Sequence, residues 1–142
     1  MTGKFYFLIF ISMIILGCNE QHSENIDESV TKRVLDNHWE TFVNNDLEGL
    51  LEDYTEESII VTQDGTHRGL EEIRKNYINA FSAFPKKGST LKLTTSIVEK
   101  DIAYIIFEAD TPDFILNYGS DTFIIRDGKI IRQTFAGVFT QK

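Results

Sequence analysis

From Thr90 to the end of the chain, strand patterns follow one another almost without a break, and every helical pattern lies before them. Leu91, Leu93, Thr95 and Ile97 alternate with Lys92, Thr94, Ser96 and Val98, the period of a strand with two faces. Glu99-Lys100-Asp101 turns the chain into a β-branched and aromatic run over residues 102–109. After an interruption at Asp110-Thr111-Pro112-Asp113 come residues 114–117, a predicted turn at Tyr118-Gly119-Ser120, and a strand over 121–126. Asp127-Gly128 is a two-residue hairpin signal and leads into a last strand over 129–140. A block like this closes into an antiparallel sheet, and the segments before it must supply the cover.

Three amphipathic segments do so. Asn25, with Glu28 three residues on, has the form of a helix start, and Val30, Val34, His38 and Phe42 recur at spacing four with Leu35 and Trp39 beside them. Asn44-Asn45-Asp46 breaks that pattern, and Asp46 caps a short helix whose apolar side is Leu47, Leu50, Leu51 and Tyr54. Residues 58–62 are a β-branched strand ended by Asp64-Gly65. Arg68-Gly69-Leu70-Glu71-Glu72 opens a third helix with acids in its first turn, Ile73, Tyr77, Ala80, Phe81 and Phe84 form its apolar side, and Pro85 ends it. The predicted order is α-α-β-α-β-β-β-β, an α+β chain.

The 142 residues, 42% apolar and 25% charged, suffice for one domain with its own core. A formal charge of −8 leaves no basic face for nucleic acid. The single cysteine excludes a disulfide framework. That cysteine instead ends a leader. Lys4, an apolar run over residues 5–16, Gly17 and Cys18 read as a signal peptide too short to span a bilayer. Ile15-Leu16-Gly17-Cys18 resembles the bacterial lipobox, which implies a lipid on Cys18 and a lipid-anchored place in the bacterial cell envelope. The expected division is a signal peptide over 1–17, a polar tether over 18–26 and a domain over 27–142.

The final hairpin is apolar on both faces, with Phe123, Ile125, Ile130 and Val138 in one set and Ile124, Ile131 and Phe135 in the other. Few helices remain to cover a second face, so a homodimer packed sheet to sheet through the outer face is expected.

Asn44 to Leu51, then Asp64-Gly65-Thr66-His67-Arg68-Gly69-Leu70-Glu71-Glu72-Ile73-Arg74, then Asp121-Thr122-Phe123 with Arg126-Asp127-Gly128-Lys129-Ile130, together resemble the nuclear transport factor 2-like superfamily, closest to its SnoaL-like and ketosteroid-isomerase-like branches. The likeness spans about residues 27–140. It implies a cystatin-like cone, in which a curved, mostly antiparallel sheet wraps the long helix around a mostly apolar cavity, with frequent dimers through the outer face. Isomerases, cyclases, dehydratases, epoxide hydrolases and non-catalytic members share that fold, which therefore does not decide function. Carried over residue by residue, the resemblance places His38 where isomerases hold a tyrosine, Thr62 where they hold the proton-moving aspartate, and Asp121 where they hold a hydrogen-bonding aspartate and SnoaL-like cyclases an acid-base one. Thr62 cannot accept a proton near neutral pH.

Two readings stand for each candidate. Asp121 is either a desolvated acid-base carboxyl flanked by Phe107, Tyr118 and Phe123, or a cap of the Gly119-Ser120 turn facing water. His38 is either a pocket donor or base, or a core residue. Trp39, Phe42, Tyr54, Tyr77, Phe81 and Phe84, and Phe107 with them, line a cavity or simply fill the core. His22, His38 and His67 lack ligand spacing, so neither a metal nor a cofactor is expected, and His67-Arg68 reads as a solvated loop. The first reading is an envelope lipoprotein holding a small apolar or amphipathic molecule. Its rivals are a cofactor-independent isomerase, cyclase or dehydratase using Asp121 with His38, and a protein-interaction module.

Overall fold

A computed structural model describes residues 26–142. The predicted signal peptide, Cys18, His22, Asn25 and nearly all of the tether lie outside the described residues. Helix α1 runs Glu28–Asn44, α2 Leu47–Leu51 and α3 Gly69–Ala83, with strands β1 Ile59–Thr62, β2 Gly65–Arg68, β3 Thr90–Glu99, β4 Ile102–Asp110, β5 Phe114–Arg126 and β6 Lys129–Gln141. Asp27, whose carboxylate accepts from the Ser29 amide, is the cap of α1, and Asp46 caps α2 by accepting from Gly49.

All six strands form one sheet in the order β2-β1-β6-β5-β4-β3, antiparallel except where β1 runs parallel to β6. This is the expected α+β architecture with one strand more. β2, Gly-Thr-His-Arg, pairs with β1 at the sheet edge, so His67-Arg68 is strand, not loop. It has no apolar alternation to reveal it, because an edge strand facing water needs none.

The second correction concerns residues 118–120, which form no turn. β5 passes straight through them, with a register shift between Leu116 and Tyr118 that leaves Asn117 as an extra residue. Gly119 is there for space, not for a turn: a Cβ would meet Leu116 Cδ2 at 2.7 Å and the Phe107 ring at 3.2 Å. A second shift, between Ile124 and Ile125 opposite Ile130 and Arg132, leaves Ile131 as the extra residue on β6. Each bulge reverses the inward and outward sense of everything beyond it. Phe135 therefore turns inward and Val138 outward, opposite to the alternation expected from Ile130. Bulges also bend strands, which is how the sheet curls around α1.

The concave side is the core. Leu35 from α1, Leu50 from α2, Ile73 from α3, Ile60 from β1 and Ile105, Leu116, Phe123 and Ile130 from the sheet are almost wholly buried there. Burying side chains of this size contributes roughly 1.5 to 3 kcal/mol each, which fixes the helices against the sheet and leaves the remaining space between them as a cavity.

Candidate functional site

Between α1, α3 and the concave sheet lies a cavity of about 290 Å³. That is near the small end of ligand pockets. Its walls are aromatic and aliphatic: Trp39 and Phe42 from α1, Ala80 and Ala83 from α3, Phe84 after it, and Ile60, Ile105, Phe107, Phe114, Phe135 and Phe139 from the sheet. Thr62, Asp64, Asn76 and Asn79, more exposed, add polar groups. Four further polar side chains, all buried, line it as well: His38, Tyr77, Asp121 and Gln133.

Those four belong to one hydrogen-bonded cluster. Gln133 Nε2 donates to Asp121 Oδ1 at 2.7 Å, and its Oε1 accepts from the Tyr54 hydroxyl and from the Tyr77 hydroxyl at 3.0 Å. The two hydroxyls lie 2.7 Å apart, and Tyr77 Oη is 3.4 Å from His38 Nε2. Burial raises the pKa of both phenols, so both keep their protons and Gln133 must offer them its carbonyl. Its amide therefore points at Asp121. Behind the cavity wall, His38 Nδ1 faces Asp53 Oδ2 at 3.8 Å, and neither atom has a hydrogen-bond partner among the described residues.

Desolvation sets the charges. Burial pushes Asp121 up to about 7, against a smaller lowering by the Gln133 hydrogen bond. Asp53 rises to about 6, again through burial, although Asn37 donates to it at 3.0 Å. His38 falls to about 3 and is neutral at physiological pH. With Asp53 ionised above 6, the tautomer that carries its proton on Nδ1 is favoured, and Nε2 then competes with Gln133 Oε1 for the single Tyr77 proton. Among the described residues nothing donates to Asp121 Oδ2, and the residue borders the cavity, which makes this carboxyl the titratable group poised near neutrality in the site.

Of the residues singled out from sequence, His38, Trp39, Phe42, Thr62, Phe107 and Asp121 meet around this cavity. The turn reading of Asp121 is overturned, since the residue is only 6% exposed and sits mid-strand. Four others do not line it. Tyr118 is turned outward by the Asn117 bulge, and its hydroxyl lies 3.2 Å from that of Tyr104. Phe123 is fully buried against the His38 ring, with centroids 4.9 Å apart. Tyr54 holds Gln133 from behind, and Phe81 packs on Phe42 and Tyr77 at half-buried positions. Sequence reasoning missed Gln133 and Asp53. The first follows a bulge that hides its parity, and the second reads as the end of a short helix. Among the described residues no three His, Cys, Asp or Glu side chains gather at metal-binding distance.

Comparison with known proteins agrees with this architecture. A ketosteroid isomerase, so assigned provisionally, from Kribbella flavida superposes with a TM-score of 0.66 at 14% identity, over 80% of this chain and 82% of its own. A provisionally assigned polyketide cyclase from Sinorhizobium meliloti gives 0.64 at 18%, over 77% and 98%. A protein of unknown function with a cystatin-like fold from Methylobium petroleophilum gives 0.64 at 13%, over 82% and 81%. At these identities the likeness is one of fold. No curated protein matches at a significant level. The SnoaL-like domain family matches residues 35–133, which carry most of α1, all of α2 and α3, most of the cavity wall and both Asp121 and Gln133, and the chain belongs to that family.

Proposed function

We propose that the domain binds a small, mainly apolar or amphipathic molecule inside the cone, with Asp121 as its polar anchor. The observation that carries this reading is an aromatic cavity bordered by a buried carboxyl whose second oxygen receives no hydrogen bond among the described residues. Apolar walls supply affinity without direction, and one polar group inside such walls sets orientation. The test uses Trp39, the chain's one tryptophan, which lines the cavity and so reports occupancy through its fluorescence. Native mass spectrometry of protein from its own host should find a co-purified small molecule, and that molecule should perturb Trp39. Protein that carries nothing, and whose emission no apolar compound changes, would reject the reading.

A second reading is favoured by the meeting of His38 and Asp121 at one cavity. On that reading the chain is a cofactor-independent isomerase, cyclase or dehydratase in which Asp121 takes and returns a proton. Its pKa near 7 suits the task, since a carboxyl must be able to hold either state at working pH. His38 is a neutral hydrogen-bonding partner here, because a group with a pKa of about 3 cannot act as the acid. Asp121→Asn should then abolish turnover of the host molecule while retaining its binding; loss of neither would leave binding alone.

The proposed setting is the bacterial envelope, with a lipid on Cys18. Mass spectrometry of the mature N-terminus decides it, an unmodified Cys18 or cleavage elsewhere being the adverse result. A second copy is proposed to cover the outer sheet face. A surface that binds another envelope protein is the rival if the cavity proves empty of ligands.

A further inference from the structure

The polar groups bordering the cavity differ in kind from one another, and the difference says what they can receive. Every hydroxyl proton in the cluster is spent within it. Tyr54 and Tyr77 each have one proton, for which Gln133 Oε1, the neighbouring hydroxyl and His38 Nε2 compete. Gln133 gives its amide to Asp121 Oδ1. Of the buried cluster, what is left unspent is Oδ2 of Asp121, a side chain more than nine-tenths buried that borders the space and whose second oxygen receives no hydrogen bond among the described residues. Among the described residues, the charged side chains lining the cavity are Asp64 and Asp121, and no Lys or Arg joins them. The surrounding walls present aromatic rings, including Trp39, Phe42, Phe107 and Phe135.

A guest carboxylate or phosphate would enter against two acids with no cation to meet it. A carbonyl beside the buried cluster would find a protonated Asp121 as its donor, since the Asn76 and Asn79 amides and the Thr62 hydroxyl lie at more exposed positions of the wall. A group that brings its own protons and a positive charge meets both the acceptor and the ring faces. Resting on the reading of this cavity as a ligand site, we propose that its ligand is a cationic amphiphile, an apolar body ending in a protonated amine that pairs with Asp121. The amine would draw Asp121 into its charged state, offsetting the burial that otherwise favours the neutral one.

The test is a matched series on one apolar skeleton, 4-phenylbutan-1-amine, 4-phenylbutan-1-ol and 4-phenylbutanoate, titrated against the purified domain with Trp39 fluorescence at neutral pH and moderate salt. The amine should bind about tenfold more tightly than the alcohol, and the carboxylate more weakly than either. Asp121→Asn should erase the amine's advantage, bringing amine and alcohol to within about twofold of each other on that variant. An alcohol that binds as well as the amine, or an amine preference that survives Asp121→Asn, overturns the proposal but keeps the cavity as a ligand site. Failure of all three to bind overturns both. Should Asp121→Asn not fold, the order of the three affinities on the unaltered chain decides the matter alone.

Discussion

Two neighbouring rows of residues cross the same strands and meet opposite fates. One runs Val98, Ala103, Phe123, Gln133 and Ile60; the other, one residue along, runs Ile97, Tyr104, Thr122, Thr134 and Val61. The first row faces the helices and, Val98 apart, is almost fully buried. The second faces away, with Ile97 54% and Val61 45% exposed. Val138, also on that outer side, is 59% exposed. A step of one residue decides whether a side chain organises the cavity or lies on an open apolar face. The contrast also separates two kinds of burial. The concave face includes polar groups because they are hydrogen-bonded to each other, while the convex face is mostly small or β-branched and is the face the proposed second copy would cover.

Several substitutions would sharpen or break that contrast. The largest effect belongs to the inner row. Phe123→Ala should cost about 3 to 5 kcal/mol in urea unfolding, because it empties space beside the His38 ring. A loss below about 1 kcal/mol would mean that the concave face is not the core it is taken for.

Asp121→Asn comes next and acts in the opposite direction. Asp121 and Asp53 have folded pKa values of about 7 and about 6, above the ordinary 3.8. They bind protons more tightly in the folded chain, so their contribution is complete below the ordinary value and fades as pH rises through 6 and 7. His38 opposes them: its folded value of about 3 lies below the ordinary 6.5, so stability is lost as pH falls through that window. Asp121→Asn keeps an acceptor for Gln133 and removes the buried charge. At pH 8 it should therefore raise stability by roughly 2 to 4 kcal/mol and flatten the decline between pH 4 and 7. Unchanged stability against pH would show that Asp121 is solvated.

Gln133→Met keeps the volume of the inner row but strips Asp121 of its donor and both tyrosines of their shared acceptor, leaving the tyrosines each other. A loss of about 1 to 3 kcal/mol is expected in the same unfolding experiment, with the pKa of Asp121 moving further up by carbon-13 titration. An unmoved pKa would detach Gln133 from the control of that carboxyl. Smallest in stability is Thr122→Arg on the outer row, within about 0.5 kcal/mol for the monomer. Its readout is assembly: sedimentation should shift from dimer to monomer with Trp39 titrations unaltered. A parent chain that already sediments as a monomer removes the second copy.

Much of this molecule was legible without coordinates. Asp46 before Leu47, Pro85 after the third helical pattern, and Asp127-Gly128 between two strands each act within a few residues, and each appears where local chemistry puts it. The candidates were less transparent. Thr62, His38 and Asp121 were visible as positions, but the turn at 118–120 and the water-facing reading of Asp121 rested on the local preference of Gly119 and Ser120. That preference yields to packing here, because Gly119 stands where Leu116 and Phe107 leave no room for a Cβ.

Sequence alone determined the three helices, the mostly antiparallel strands that follow them and the boundaries at Asp46, Pro85 and Asp127-Gly128, since those depend on periods and turn residues acting over short range; it did not determine β2 or the unbroken course of β5. Tertiary structure decided which face each side chain takes beyond Asn117 and Ile131, because one bulged residue reverses the alternation and leaves no local trace. It also decided the chemistry of the cavity. The shifted protons of Asp121, Asp53 and His38 come from loss of water on burial, and burial is a property of what the rest of the chain brings alongside.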